Sequence, residues 1–289
     1  MDIRVVRRLD VKQQFHYFIT ERESIRRLKE KGQARPWTDD AILGTYRFCN
    51  IRRMDDRVSK WLLDNWYTPE RKNHPNMLLA VGLARFFNLP STLKVIGFPD
   101  VWDIDRIYSL VRERHKAGIT VFNGAYVVRG NDGRDKIDSV LNYFLRKLHE
   151  DKVQEKLDKT SMEKSAKLIQ SYYGFGSFMA GQVVADLRWA LEGEWLDRND
   201  WAPVGPGSSR GLRWLYGETD KIKVLHKPKE FMVRFSEIMA NARKAVPYEI
   251  TSRLEAHDYQ NCLCEFDKYS RTLARQSKPK QIYKPYKGN

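Results

Sequence analysis

The sequence contains no uninterrupted apolar run of about 18 residues that would span a bilayer. Its first ten residues, Met1 to Asp10, lack the apolar core of a secretory signal. These absences predict a cytoplasmic protein without a membrane partner. Cysteine is scarce: Cys49, Cys262 and Cys264 are an odd number, and the last two are one residue apart. That spacing suits neither a disulfide framework nor a four-ligand zinc site, so reduced thiols and no metal site are expected. The G-x-x-x-x-G-K-[S/T] phosphate loop, the H-x-E with P-C-x-x-C of zinc deaminases, H-E-x-x-H and G-x-S-x-G are all missing. Gly174-Phe175-Gly176 and Gly205-Pro206-Gly207 lack the third glycine of a dinucleotide fingerprint.

What the chain has in excess is positive charge. Its 289 residues hold 52 Lys and Arg against 37 Asp and Glu, a formal net charge of +15, and such a field favours polyanions, nucleic acid before acidic membrane. A hydrophobic content of 42% and an aromatic content of 12% supply a core for one large domain or two small ones. The charge is uneven. Residues 1–60 carry +6, residues 61–267 only +2, and residues 268–289 carry +7 with no acid at all. The expected organisation is one helical catalytic domain over 1–267 and a flexible basic tail over 268–289.

Helical periodicity dominates. Phe15, Phe18, Ile19, Arg22, Ile25 and Leu28 mark an amphipathic helix ending near Gly32. Pro36-Trp37-Thr38-Asp39-Asp40 supplies a breaker and a new N-cap. Further helices are predicted over 41–48, 52–66, 77–87, 103–117, 136–157, 162–173, 227–245 and 247–269, with one short extended element within 118–128.

Four clusters could carry chemistry. At Tyr173-Gly174-Phe175-Gly176-Ser177 one helix ends and another begins. This is the pattern of a helix-hairpin-helix over about 162–190, whose glycines let backbone N–H groups approach a phosphate; a plain helical corner would read the same. The loop Gly205-Pro206-Gly207-Ser208-Ser209-Arg210 offers N–H donors, hydroxyls and a guanidinium to an anion, or serves as a connector. The N-terminal cluster interleaves Glu21, Arg22, Arg26, Trp37, Tyr46, Arg47 and Arg52, residues suited to phosphate contacts and to stacking on an extruded base. Finally, Leu263-Cys264-Glu265-Phe266-Asp267-Lys268-Tyr269 holds two acids and a thiol, for which structural pairing is the favoured reading.

Together these runs, with Gly124-Ala125-Tyr126, resemble the phage and bacterial α-glutamyl/putrescinyl thymine pyrophosphorylases, also described as amino acid:DNA transferases of thymidine hypermodification. The resemblance covers about residues 15–269. It implies a mainly α fold related to the helix-hairpin-helix DNA glycosylases. The implied reaction is displacement of phosphate or pyrophosphate from 5-phosphorylated hydroxymethyluracil in double-stranded DNA by a free amino acid, most simply glycine. A separate pathway DNA kinase would supply the substrate, and the product would protect phage DNA from host restriction. One departure is informative: the window that holds a glycosylase's catalytic aspartate reads Trp201 to Ser208, with no carboxylate and only Asp200 at its edge.

On this reading Gly174, Gly176 and Ser177 grip the duplex with Arg22 and Arg26, and the base flips beside Trp37 and Tyr46. Gly205, Gly207, Ser208, Ser209 and Arg210, with Arg47 or Arg52, would stabilise the leaving group, and Glu21 or Asp186 would accept a proton. Mg²⁺ would enter only with the substrate phosphates. The rivals are a glycosylase using Asp200 or Asp186, and a non-catalytic DNA-binding subunit.

Overall fold

The computed structural model describes residues 1–124, 133, 135–217 and 228–283. Among them the protein is mainly α-helical: α1 (Val11–Glu30), α2 (Ala41–Thr45), α3 (Arg57–Asn65), α4 (Met77–Phe87), α5 (Ile104–Lys116), α6 (Met162–Gln170), α7 (Ser177–Ala190), α8 (Pro206–Leu215), α9 (Pro228–Ala245) and α10 (Ala256–Leu273), with shorter helical turns between. No strand is formed among the described residues; one isolated antiparallel bridge joins Tyr46 to Ile282. None of the described helices is long and apolar enough to cross a membrane.

The chain divides into two compact units, Met1–Asp56 with Val204–Asn289, and Arg57–Pro203, where the sequence reading treats 1–267 as one domain. In the first unit, α1 begins at a capping box in which the Asp10 carboxylate accepts from Gln13 N and the Gln13 side chain accepts from Asp10 N. Its apolar face packs on α10 through aromatic edges: Phe15 lies 5.1 Å from Phe266, and Phe18 lies 5.9 Å from Phe266 and 5.4 Å from Tyr269. Helix α8 crosses α10 at close range because two glycines allow it. A Cβ on Gly211 would sit 2.1 Å from the Leu263 carbonyl oxygen, and one on Gly207 would sit 3.0 Å from Cys264 Sγ.

Asp40 anchors the turn between α1 and α2. It is fully buried. One oxygen caps α2 by accepting from Ile42 N and Leu43 N, and the other accepts from the hydroxyls of Tyr269 at 2.6 Å and Tyr17 at 3.3 Å. The N-cap expected in the Pro36 to Asp40 run therefore also ties α1 and α10 together.

In the second unit every residue of α4 is buried, so this helix is the core element of that unit. Helices α6 and α7 pack against each other across a tight turn. Gly174 takes a φ of +89°, and a Cβ there would meet the Phe144 ring at 2.4 Å, so only glycine fits the turn. Phe175 is buried against Phe86, ring centroids 5.2 Å apart.

Several predicted boundaries move. The helix expected over 52–66 breaks at Asp56, and the one over 136–157 passes through a π-helical stretch at Ser139–Leu145 and ends at Glu150. The one over 247–269 is two helices, Tyr248–Thr251 and α10. The tail expected from residue 268 starts later: α10 runs on to Leu273, because Tyr269 and Ser270 are buried in its packed face. Residues 281–283 are also engaged, with Arg47 N donating to Gln281 O and Tyr283 N to Thr45 O. Ala125 and Tyr126, with the rest of 125–128 in the expected extended element, Lys227 and residues 284–289 lie outside the described residues, and the described part, 118–124, forms no strand.

Candidate functional site

The site is built in the first unit, where one face of α10 meets the segment between α2 and α3. Asp258, Asn261, Cys262 and Glu265 recur three or four residues apart and so share a face of α10. Each holds a backbone group of the facing segment. Asp258 accepts from Arg53 N (2.7 Å), Asn261 donates to Asn50 O (3.0 Å), the Cys262 thiol donates to Ile51 O (3.7 Å), and Glu265 accepts from Cys49 N (3.1 Å). The next residue along that face, Lys268, places Nζ 2.5 Å from Glu265 Oε1. Asp56 accepts from Asn50 N at 3.0 Å.

These groups form one polar cluster. Cys49 reaches solvent and Asp56 and Cys264 are partly exposed, yet neighbouring atoms restrict hydration enough to shift all three. Burial, with Glu265 adding repulsion, pushes Asp56 up to about 6. Burial and the Glu265 and Asp56 charges raise the Cys49 thiol, and burial with Glu265 raises Cys264 to about 12. Both cysteines are therefore thiols, not thiolate nucleophiles, at neutral pH. At Lys268 burial opposes the charge, but Glu265 outweighs it and the ammonium is held more firmly protonated. Asp56 is the group poised to exchange a proton near neutrality.

Arg22 projects from α1 into the same neighbourhood and is 1% exposed. One of its terminal nitrogens donates to Phe48 O (3.0 Å) and Cys49 O (3.3 Å). Its Nε and other terminal nitrogen are buried and meet no acceptor among the described residues. A guanidinium with unused donors beside this cluster has the chemistry to meet an anion.

The other sequence-predicted residues are placed differently. Arg26 is buried and committed inward: it forks onto Glu23 at 2.6 and 2.8 Å, reaches Glu30 at 2.5 Å and lies 3.5 Å from Asp55. Arg52 lies 3.4 Å from Asp55, which Arg253 also approaches at 3.4 Å. Burial opposes the Glu23 charge, but Arg26 and Arg27 outweigh it and hold that carboxyl below its ordinary range. Arg26 and Arg52 thus neutralise internal carboxylates, where phosphate contacts were expected.

Trp37 donates to Gln33 O at 2.7 Å and packs edge-on against Tyr283, with Arg35 and Lys29 over its ring. The stacking surface foreseen for a flipped base is covered by the chain itself. Tyr46 is half-buried and pairs with Ile282, while the Arg47 side chain is exposed. Glu21 accepts from the Thr38 hydroxyl at 2.5 Å. The expected anion loop is a helix start instead: Ser208 and Ser209 are buried, and Ser208 Oγ bonds the Gly205 N–H and carbonyl and the Gln260 amide. Gly205 is the N-cap of α8, and Gly207 serves the α8–α10 crossing. Arg210 is exposed and pairs through Nε with Asp267 at 2.9 Å.

In the second unit Gly174, Gly176 and Ser177 are exposed at the hairpin tip, a placement open to a phosphate. Asp186 is 1% exposed. Both its oxygens accept from Arg85 at 2.6 Å, and Tyr67 OH adds a third bond at 2.9 Å, which is the geometry of a structural ion pair. The sequence reading took Glu265 and Lys268 for structural pairing and did not name Asp56 or Cys49 as site residues. The readable signal was the three-to-four residue spacing of Asp258, Asn261, Glu265 and Lys268; their distance in sequence from Cys49 to Asp56 hid the rest. Among the described residues no group of three or more His, Cys, Asp or Glu is arranged to hold a metal ion.

The family described as 5-hmdU DNA kinase, helical domain, matches residues 9–279. A 5-hmdU DNA kinase of Bacillus phage SP10 is 29% identical over 227 residues, covering 69% of this chain and 36% of that protein. The chain thus spans about a third of the length of this relative. No solved structure matches.

Proposed function

The chain belongs to the 5-hmdU DNA kinase helical-domain family, and from that premise we propose that it is a transferase acting on 5-hydroxymethyldeoxyuridine in phage DNA during thymidine hypermodification. The family match over nearly the whole chain carries this reading. The polar cluster supports it with a candidate general base, Asp56, raised to about 6, and a buried cation with unused donors, Arg22. The basic composition suits a DNA substrate, and the exposed Gly174 to Ser177 tip suits its backbone.

In the favoured reaction the 5-hydroxymethyl oxygen attacks the terminal phosphorus of a nucleoside triphosphate. The new O–P bond forms as the bond to the diphosphate breaks, and the hydroxyl proton passes to Asp56. Arg22 offsets charge gathering on the transferred group. Mg²⁺ would accompany the donor phosphates. A second reading keeps the same base but gives it the proton of an incoming amino acid amine, with phosphate or pyrophosphate leaving the 5-methylene.

Nucleoside mass spectrometry separates the two. Protein incubated with hydroxymethyluracil DNA and ATP should yield a 5-phosphorylated nucleoside. If product appears only with pre-phosphorylated DNA and an amino acid mixture, the second reading holds. Abasic sites would indicate a glycosylase, and salt-dependent binding without any new nucleoside would reduce the chain to a DNA-binding subunit.

A further inference from the structure

A cavity of about 180 Å³ lies beside α8 and α10, lined by Arg210, Arg213, Trp214, Asp267 and Arg271 among others. The arrangement follows from helical spacing. Arg210, Arg213 and Trp214 fall at i, i+3 and i+4 on α8, and Asp267 and Arg271 at i and i+4 on α10. Asp267 is 1% exposed. It accepts from Arg210 Nε at 2.9 Å and Trp214 Nε1 at 3.3 Å, and Arg271 reaches it at 3.2 Å. This single carboxylate holds two guanidinium groups in place without neutralising the pocket: three arginines against one aspartate leave two positive charges. The Nε atoms of Arg213 and Arg271 are also buried without an acceptor among the described residues. Buried cationic donors without acceptors are costly unless a ligand meets them.

We propose that this pocket is a phosphate-binding site, separate from the Asp56 cluster in its residues. The volume is below the roughly 300 Å³ at which drug-sized pockets begin, so a compact anion fits and a whole nucleotide does not. Two net positive charges and several forked donors match the charge and tetrahedral oxygens of a phosphate better than a single planar carboxylate. The phosphate comes either from a DNA backbone or from free pyrophosphate. Only the first source rests on the DNA reading above.

Arg213→Gln is the informative variant, because Arg213 does not support Asp267; Arg210→Gln is the second. Unmodified duplex DNA and pyrophosphate are the probes, so the outcome does not depend on any reaction at hydroxymethyluracil. If the backbone occupies the pocket, the slope of log affinity against log salt should shrink by about 1 in the folded variant. If free pyrophosphate occupies it, millimolar pyrophosphate should raise the melting temperature of the wild type by several degrees and of the variant by little. Circular dichroism establishes that each variant is folded. An unchanged salt slope together with unchanged pyrophosphate protection in a folded variant overturns the proposal. Absence of both DNA binding and pyrophosphate protection in the wild type does so as well.

Discussion

Replacing Asp56 with Asn should make the protein more stable and less active, and the stability gain should depend on pH in a definite direction. The Asp56 carboxyl is raised from 3.8 to about 6 by burial and by Glu265. A folded-state value above the unfolded one means the native protein binds the extra proton between those values, so ionising Asp56 erodes stability as pH rises from about 4 to 6. The full shift corresponds to about 3 kcal/mol, an upper figure because the side chain is partly exposed and water screens it. Asn retains an oxygen to accept from Asn50 N and carries no charge at any pH. Urea unfolding of both proteins at half-unit intervals from pH 4 to 8 should show near-equal stability at the acid end and a gap opening towards neutrality. Activity of the variant at pH 7 should fall by about 10²- to 10⁴-fold if Asp56 is the general base. A stability difference that is flat with pH, or one in which the wild type gains on the variant as pH rises, would refute the electrostatic reasoning.

Other substitutions test the framework. Arg85→Ala leaves Asp186 as a buried carboxylate without its bidentate partner and should cost about 3–5 kcal/mol in denaturant unfolding; replacing both with apolar residues of similar volume should cost much less. Gly211→Ala forces a methyl against the Leu263 carbonyl, and α8 must move off α10, at a cost of about 1–3 kcal/mol or more by melting temperature. Tyr269→Phe removes the 2.6 Å bond to the buried Asp40 and should destabilise by about 1–3 kcal/mol, measured by chemical unfolding at pH 7.

Local signals were read well where they depended on neighbours in sequence. The period of Phe15, Phe18, Ile19 and Ile25 placed α1, and Asp40 was legible as an N-cap because capping is a three-residue affair. The Gly174 turn between two helices was legible because only glycine takes its positive φ against Phe144. The arginines were misjudged for the opposite reason. Arg26 and Arg52 look like surface cations in sequence, but Asp55, which they share, is also approached by Arg253 from 198 residues away. Ser208 and Ser209 looked like anion donors beside glycines, yet those glycines exist to let α8 touch α10, and the contact buries both hydroxyls.

By itself, then, the sequence determined the helical class, the turn glycines and a positive field suited to DNA, all properties of composition and short-range periodicity. Which charges remain available was decided by tertiary structure alone. Arg26 and Arg52 are spent on internal carboxylates, while Arg22 and the arginines around Asp267 keep unused donors. Asp56 acquires its raised pKa first from burial and then from Glu265, which α10 brings to the segment that follows Cys49. A side chain's charge is written in the chain, but its desolvation and its partners are set by groups that meet only when distant segments pack.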